Sequence, residues 1–497
     1  LSAVLLPPDL TFPDEVLMKS CRMLLPMLVS LLLAGCGKDG PAPSPIDYLQ
    51  PGAPIQSGSA ASRQTSGVAQ IAGLGSQCTG FIINHGVANA PAYLMTNGHC
   101  VELFDSATVQ HQIPAEGEAR FNLFKDNLAG AVRVNISEIS WASMRGTDIA
   151  ILKSDQTLAQ LQQQGLRAYT LAPLPKPGTA LTIAGVPVKD LPQEEWALRQ
   201  VQCKAGQTTR LFEFVWIWDR AQAGDCGGIL PGHSGSPVFD PAGQVVGIIN
   251  TSTIGAEAGG NCYLGKPYEL RKTGVVAAPN TSYWLAVDGV RGCFTANGEF
   301  SLQQAACQLE QPEPFVARNA ARVQKAPAGW QVELEGPRTI SLKSGPLHST
   351  DCRDPAGYSG SYFAGEQYEQ TISSRQDGHW LLCAAGYGED GKIQTRSAGF
   401  TTLEIDNTAP VRPMKLHVVR FDDALQYQPL FSPPELSSYR WKVGKPAETD
   451  CADSAGYRTF IRIPRFADLT ELPLKVCLIG SDEAGNESKP QTEMLEK

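Results

Sequence analysis

Three short segments of this 497-residue chain carry side chains that could cleave an amide through attack by a serine hydroxyl. Leu94-Met95-Thr96-Asn97-Gly98-His99-Cys100 offers an imidazole, and Gly146-Thr147-Asp148-Ile149-Ala150-Ile151-Leu152 a carboxylate. Gly232-His233-Ser234-Gly235-Ser236-Pro237-Val238-Phe239 offers the hydroxyl. Such chemistry needs a base to take the hydroxyl proton, a carboxylate to orient the base, and backbone N–H groups to hold the oxyanion. The three groups follow in the order His, Asp, Ser, 49 and 86 positions apart. Asp105, Asp126 and Asp155 compete for the carboxylate role, and Ser236 is the second serine of its segment. His85, His111, His348, His379 and His417 have no ligand-spaced neighbours, so neither a metal nor another cofactor is expected. Gly73-x-Gly75 has no helix pattern behind it and reads as a turn, not a dinucleotide loop.

The segments lie among short apolar runs, VAQIAGL, CTGFIIN, AYLMTN, DIAILK, ALTIAGV, FEFVWIW and VVGIIN, separated by Gly, Pro and Asn. Runs rich in β-branched and aromatic residues, bounded by turn formers, are strand patterning. Helical periodicity is confined to the region around Leu158 to Gln164. With 48 Gly, 36 Pro, 42% apolar and 18% charged residues, the chain has core material and many turns, which excludes a coiled coil and an acidic disordered chain. A net charge of −9 supplies no electrostatic footprint for nucleic acid.

Taken together, GHC, GTDIAIL and GHSGSP resemble the trypsin-like (chymotrypsin-fold) serine peptidases of the bacterial type. The resemblance implies an all-β double barrel and a serine endopeptidase, with His99 as general base, Asp148 as its orienting carboxylate and Ser234 as nucleophile. Unrelated triad folds use other chain orders. The Gly232 and Ser234 amides would face the oxyanion. It further implies that Cys78 pairs with Cys100, pinning the histidine turn to the preceding strand. His233 replaces the aspartate that animal members use to capture a freed N-terminus, so no zymogen switch of that type is expected. As a loop histidine it is expected to be partly exposed, with recognition of acidic side chains and pH gating as the other readings.

By the same alignment the primary pocket has its base at Gly228, six residues before Ser234, and its wall at Asn250, Thr251 and Ser252. No carboxylate stands at that base, which disfavours a preference for Arg or Lys. Cys226 with Cys262 resembles a bridge of the family, and Cys293 with Cys307 would close a hairpin, leaving Cys203 over; Cys203 with Cys226 is the rival arrangement.

Residues 350–358 (TDCRDPAGY) are echoed by 449–457 (TDCADSAGY), and LCAAG at 382–386 by VCLIG at 476–480. Nearly equal offsets indicate a duplicated module of the size of a small β-sandwich. Each copy has two cysteines, so Cys352 with Cys383 and Cys451 with Cys477 is the natural pairing, stabilising each module by roughly 3 to 4 kcal/mol in the chain-entropy model. The junction IDNTAP at 405–410 resembles linkers between tandem bacterial immunoglobulin-like (Ig-like) domains. Spacing is the default role for these modules, with protein or glycan binding as the others.

From Met18 the chain has a basic start (Lys19, Arg22), an apolar stretch to Leu33 and the small residues Ala34-Gly35-Cys36. That stretch is too short to span a bilayer stably, and its LAGC ending resembles the bacterial lipobox, with Cys36 as the acylated first residue of the mature protein. Residues 1 to 17 read as a mis-called upstream start. The expected organisation is 1–35 upstream segment and signal peptide, 36–65 lipid-anchored flexible tether, and 66–311 peptidase. Residues 312–405 and 406–497 would be the two sandwich modules. The expected function is a membrane-anchored cell-envelope serine endopeptidase acting on polypeptides. A catalytically silent homologue serving as an adhesion scaffold is the alternative, which an intact set of three groups disfavours.

Overall fold

The computed structural model describes residues 49–103, 105–254, 265–312, 315–336, 339–432 and 435–497. Cys36 with the expected signal segment, and Cys262, lie outside the described residues. A short strand β1 (Ala53–Pro54) precedes six strands that close into a barrel: β2 (Val68–Ala72), β3 (Cys78–Ile82), β4 (Pro91–Thr96), β5 (Val109–Phe121), β6 (Val132–Ser143) and β7 (Ile149–Thr157). The order around it is β2-β3-β4-β7-β6-β5, antiparallel throughout. Ile71, Ile82, Leu94, Phe121, Ile139 and Leu152 share one face of this barrel and belong to a buried apolar cluster. Between Pro114 and Gly117 the β5 register slips against β6, a bulge of the kind that bends a long strand round a barrel.

A second ring forms from β8 (Ala180–Gly185), β9 (Arg199–Glu213), β10 (Trp216–Gly224), β11 (Pro237–Phe239) and β12 (Val245–Ser252). The hairpin β13 (Tyr268–Arg271) and β14 (Gly274–Ala277) extends from β9, and β15 (Ser282–Ala286) completes the ring. The path β9-β10-β15-β12-β11-β8 returns to β9, so this sheet is also closed. The run FEFVWIW, read from sequence as one strand, is a hairpin instead. β9 stops at Glu213, Phe214 takes a left-handed φ of 55°, and β10 starts at Trp216.

The helical pattern after β7 becomes α2 (Leu158–Gln163), capped by Thr157 and Gln160 in a reciprocal box, preceded in the chain by α1 (Ala60–Gln64). The expected flexible tether is corrected over residues 49–65. There β1 pairs with β9, Ile55 is buried and donates to the Leu198 carbonyl, and Ser57 binds Asp126. An apolar residue and paired backbone within a Pro- and Ser-rich stretch provide the docking that composition alone understates.

Beyond the barrels, two further cores each lie between facing sheets. The first unit has β16 (Val316–Asn319), β17 (Val323–Gln324), β18 (Gly329–Glu335), β19 (Ile340–Pro346), β20 (Ser359–Tyr362), β21 (Gln367–Thr371), β22 (Gly378–Gly386) and β23 (Gly399–Ile405). Its sheets run β16-β18-β21 and β17-β23-β22-β19-β20. The second has β24 (Leu416–Arg420), β25 (Ala424–Pro429), β26 (Ser438–Gly444), β27 (Arg458–Thr459), β28 (Arg465–Asp468), β29 (Leu474–Ser481) and β30 (Gln491–Leu495). Its sheets run β24-β25-β28 and β27-β26-β29-β30, the same order as the first without β17. The echoed motif has the same job in both. The Tyr358 hydroxyl donates to the Cys352 carbonyl at 2.7 Å, and Tyr457 to Cys451 at 2.8 Å, each beside a disulfide to the central strand.

Phe315 enters the first sandwich fully buried, and glycines make room for it. A Cβ on Gly386 would stand 2.1 Å from its ring, and one on Gly336 2.5 Å. Phe315→Ala is expected to cost about 3 to 5 kcal/mol through the cavity it leaves. Gly386→Ala is expected to destabilise the same unit by overpacking. Urea unfolding followed by tryptophan fluorescence, with Trp330 in that core, would measure both.

Candidate active site

His99 sits on a 3-10 turn, Gly98–Val101, directly after β4, and Asp148 is the residue before β7. Since β4 and β7 are neighbours in the first barrel, the two arrive side by side. Asp148 is completely buried, and a carboxylate there needs donors. The His99 amide donates to Oδ1 at 3.0 Å, His99 Nδ1 lies 2.7 Å from Oδ2, and Asn250 Nδ2 donates to Oδ2 at 2.6 Å. The Asp148 carbonyl takes a fourth bond, 2.8 Å from Asn97 Nδ2. Gly98 must be small here, because a Cβ would meet the Ser143 carbonyl at 2.6 Å and Asp148 Oδ1 at 3.0 Å.

With Nδ1 committed to the carboxylate, Nε2 is the imidazole nitrogen left to work, and the His99 side chain is 20% exposed. Burial pushes its pKa down, but the Asp148 charge and hydrogen bond, with the Glu213 charge behind them, outweigh burial and hold it above the ordinary imidazole value.

Ser234 lies in a turn held by its carbonyls. Thr79, on β3 of the first barrel, donates its amide to the Ser234 carbonyl at 2.8 Å and its hydroxyl to the Gly232 carbonyl at 2.8 Å. Gly232 (φ 104°) and Gly235 (φ 79°) adopt left-handed conformations, and Cβ atoms there would strike the Val186 carbonyl at 2.5 Å and the Thr79 carbonyl at 2.2 Å. Among the described residues, the Gly232 and Ser234 amides have no hydrogen-bond acceptor, whereas the His233 amide is used by Leu230. His99, Asp148 and Ser234 border one cavity of about 580 Å³, together with Glu213, Trp216, Trp218, Thr251 and Ser252.

Asp105, Asp126 and Asp155 are engaged elsewhere, with the Thr108 amide, Ser57 and Asn135 respectively. Several expectations are corrected. Gly228 does not border the cavity: at φ 74° it packs against Gln50, Gly52 and Val201, and Ile229, Leu230 and Pro231 form the wall instead. Asn250 borders the cavity, but its amide nitrogen is spent on Asp148. His233 is wholly buried, with Nδ1 3.3 Å from the Ser236 hydroxyl under Gly185. Cys226 bonds Cys203, because β8, β9 and the loop after β10 bring those two together, so the Cys226–Cys262 pairing is excluded. Cys78–Cys100 and Cys293–Cys307 form as expected. The sulfurs beside His99 belong to that first disulfide and are not free as metal ligands.

Two residues escaped sequence reading. Thr79 gave no signal beyond its place after a cysteine. Glu213 is a buried carboxyl in the cavity wall, pushed up to about 7 by burial although the Gly265 amide, Thr251 and His99 draw it down.

Burial holds the His233 pKa down at about 4. The unfolded chain takes up this proton near pH 6.5 and the folded chain only near 4, so the unfolded state binds more protons in between. Stability is therefore expected to fall as pH drops from about 6.5 to 4, by about 3 kcal/mol from this residue. His379, half-buried and also held down at about 4 by desolvation, acts in the same direction. Urea unfolding across that window should show a slope smaller by about one proton in H233Q than in the native chain.

Residues 78–248 match the family described as Trypsin-like peptidase domain. No curated protein matches the chain significantly. Among solved structures, the active form of the Rv3671c protease from M. tuberculosis is 15% identical over 56% of this chain and 96% of that one, with a TM-score of 0.31. The MamO protease domain from Magnetospirillum magneticum is 15% identical over 45% and 93%, at 0.29. A Glu endopeptidase bound to MPD is 18% identical over 48% and 94%, at 0.32. The matched span takes in His99, Asp148 and Ser234 and runs from β3 into β12, and over that span the chain is similar to a trypsin-like peptidase domain.

Proposed function

We propose that this protein is a serine endopeptidase of the cell envelope, anchored to a membrane through an acylated Cys36 and cleaving polypeptides by way of an acyl-enzyme. The observation that carries the reading is the convergence of His99, a fully buried Asp148 and Ser234 on one cavity. Ser234 attacks the substrate carbonyl while His99 Nε2 takes its proton, and the Gly232 and Ser234 amides receive the oxyanion. Asp148 keeps the Nδ1 proton in place and balances the imidazolium, after which His99 protonates the leaving amine. A water activated by the same imidazole then releases the acyl group. No cofactor takes part. Asn250 steadies Asp148 from the second barrel, and Thr79 holds the nucleophile turn from the first.

A fluorophosphonate probe is expected to label the native chain at Ser234 and to leave S234A unlabelled; a folded native chain that resists the probe would favour the silent-scaffold alternative. Since the base works as neutral imidazole and its pKa is held up, kcat/KM should rise with pH through an apparent value above 6.5. N250A removes a charge-assisted hydrogen bond worth about 1.5 to 3 kcal/mol, so kcat is expected to fall about ten- to a hundredfold in a peptide-cleavage assay. Expressed in a bacterium fed an alkyne fatty acid, the chain should take up the label, and C36S should not.

A further inference from the structure

Asp148 is delivered by the Ser143–Asp148 loop between β6 and β7, and that loop is supported from outside the two barrels as well as from β10. Arg145 is 1% exposed, and its Nη2 donates to the Gln311 carbonyl at 2.8 Å and to the Arg396 carbonyl at 3.3 Å. Gln311 leads into the first sandwich, and Arg396 precedes its strand β23. Glu310, 3% exposed, lies 3.7 Å from Arg145 and is hydrogen-bonded by Arg353 of that sandwich. Arg353 also reaches Asp219 at 3.4 Å, and the Asp219 amide donates to the Gly146 carbonyl at 2.9 Å. A Cβ on Gly146 would be 2.9 Å from Arg353 Nη2, so the guanidinium lies directly on the loop backbone, two residues before Asp148.

We infer that the first sandwich is a working part of the peptidase, with Arg353 as a positioning residue that clamps the loop delivering Asp148. The inference rests on the proposed triad. Two independent observations support it. Phe212, Ile217 and Leu270 of the second barrel share a buried apolar cluster with Leu347, Leu381 and Cys383 of the sandwich, as a fixed docking requires and a spacer does not. The duplicated motif also differs at this position: Cys352 is followed by Arg353, whereas Cys451 is followed by Ala452. The second copy keeps the tyrosine and the disulfide, which hold its own fold, and lacks the side chain that reaches the catalytic loop.

Arg353 does not border the active-site cavity, so its loss acts through Asp148 and leaves substrate contacts alone. Without it, buried Glu310 and Asp219 each lose a cationic partner and the cover of Gly146 is gone. Misplacing a catalytic group by about 1 Å costs up to about a hundredfold. R353A in the full chain is expected to lower kcat about ten- to a hundredfold with KM unchanged. The His99 pKa, read from its imidazole NMR signals, should move back toward about 6.5. R353K, which keeps a cation, should recover part of both.

The NMR titration is also run in an S234A background, so it reports on the clamp even if the chain cleaves nothing; loss of probe labelling in the native chain would count against the triad, not the clamp. A folded R353A with native kcat and a native His99 titration would overturn the inference. Should R353A fail to fold, the same two readouts on R353K decide, and native values there overturn it equally.

Discussion

A single carboxylate, sealed from water between two barrels, sets the terms for the rest of the site. Three groups converge on Asp148, two from the histidine turn and one from Asn250 of the other barrel, and such partners are what a buried carboxyl group requires. The first barrel supplies His99 and Asp148 on adjacent strands, and the second closes the arrangement with an amide. The same carboxylate determines which nitrogen of His99 carries the proton, so burial, tautomer and the availability of Nε2 are one constraint seen from three sides.

The Ser234 turn repeats this dependence in the opposite direction. Its backbone carbonyls are tied to Thr79 of the first barrel, and its amides point elsewhere. Glycines at 232 and 235 are obligatory because neighbouring backbone stands within 2.5 Å of where their side chains would begin. Each barrel therefore immobilises the part of the site that the other carries. Beneath the turn, His233 is kept neutral by burial.

The two sandwiches share a strand order and a motif and differ in what they touch. Both keep the tyrosine-to-cysteine carbonyl bond and the disulfide that ties the motif to its central strand. Only the first places an arginine at the edge of that motif, and it meets Glu310, Asp219 and the backbone of Gly146. An ion pair with a buried member is poor evidence of net stability, since desolvation offsets the attraction, but it is well suited to holding one geometry against another.

How much of this was legible without coordinates follows from the range of the forces involved. Strand runs, the duplication and the paired cysteines within each copy are local patterns, and alternation, turn residues and spacing express them directly. The three segments that border the cavity stood out because a histidine beside a cysteine, an aspartate entering an apolar strand and a serine flanked by glycines each carry a local backbone requirement. What failed depended on contacts distant in sequence. Gly228 was displaced from the pocket by Gln50, nearly two hundred residues earlier, and Cys226 found Cys203 through barrel closure. His233 is buried because Gly185 lies over it, and the pleat of FEFVWIW was broken by a turn at Phe214 that no glycine or proline announced. By itself the sequence determined the chemical groups and the elements that bear them, since these depend on residue type and near neighbours. Only the tertiary structure decided which groups are dry, which donors reach Asp148 and which module holds its loop, because desolvation and hydrogen-bond direction exist only once distant strands have met.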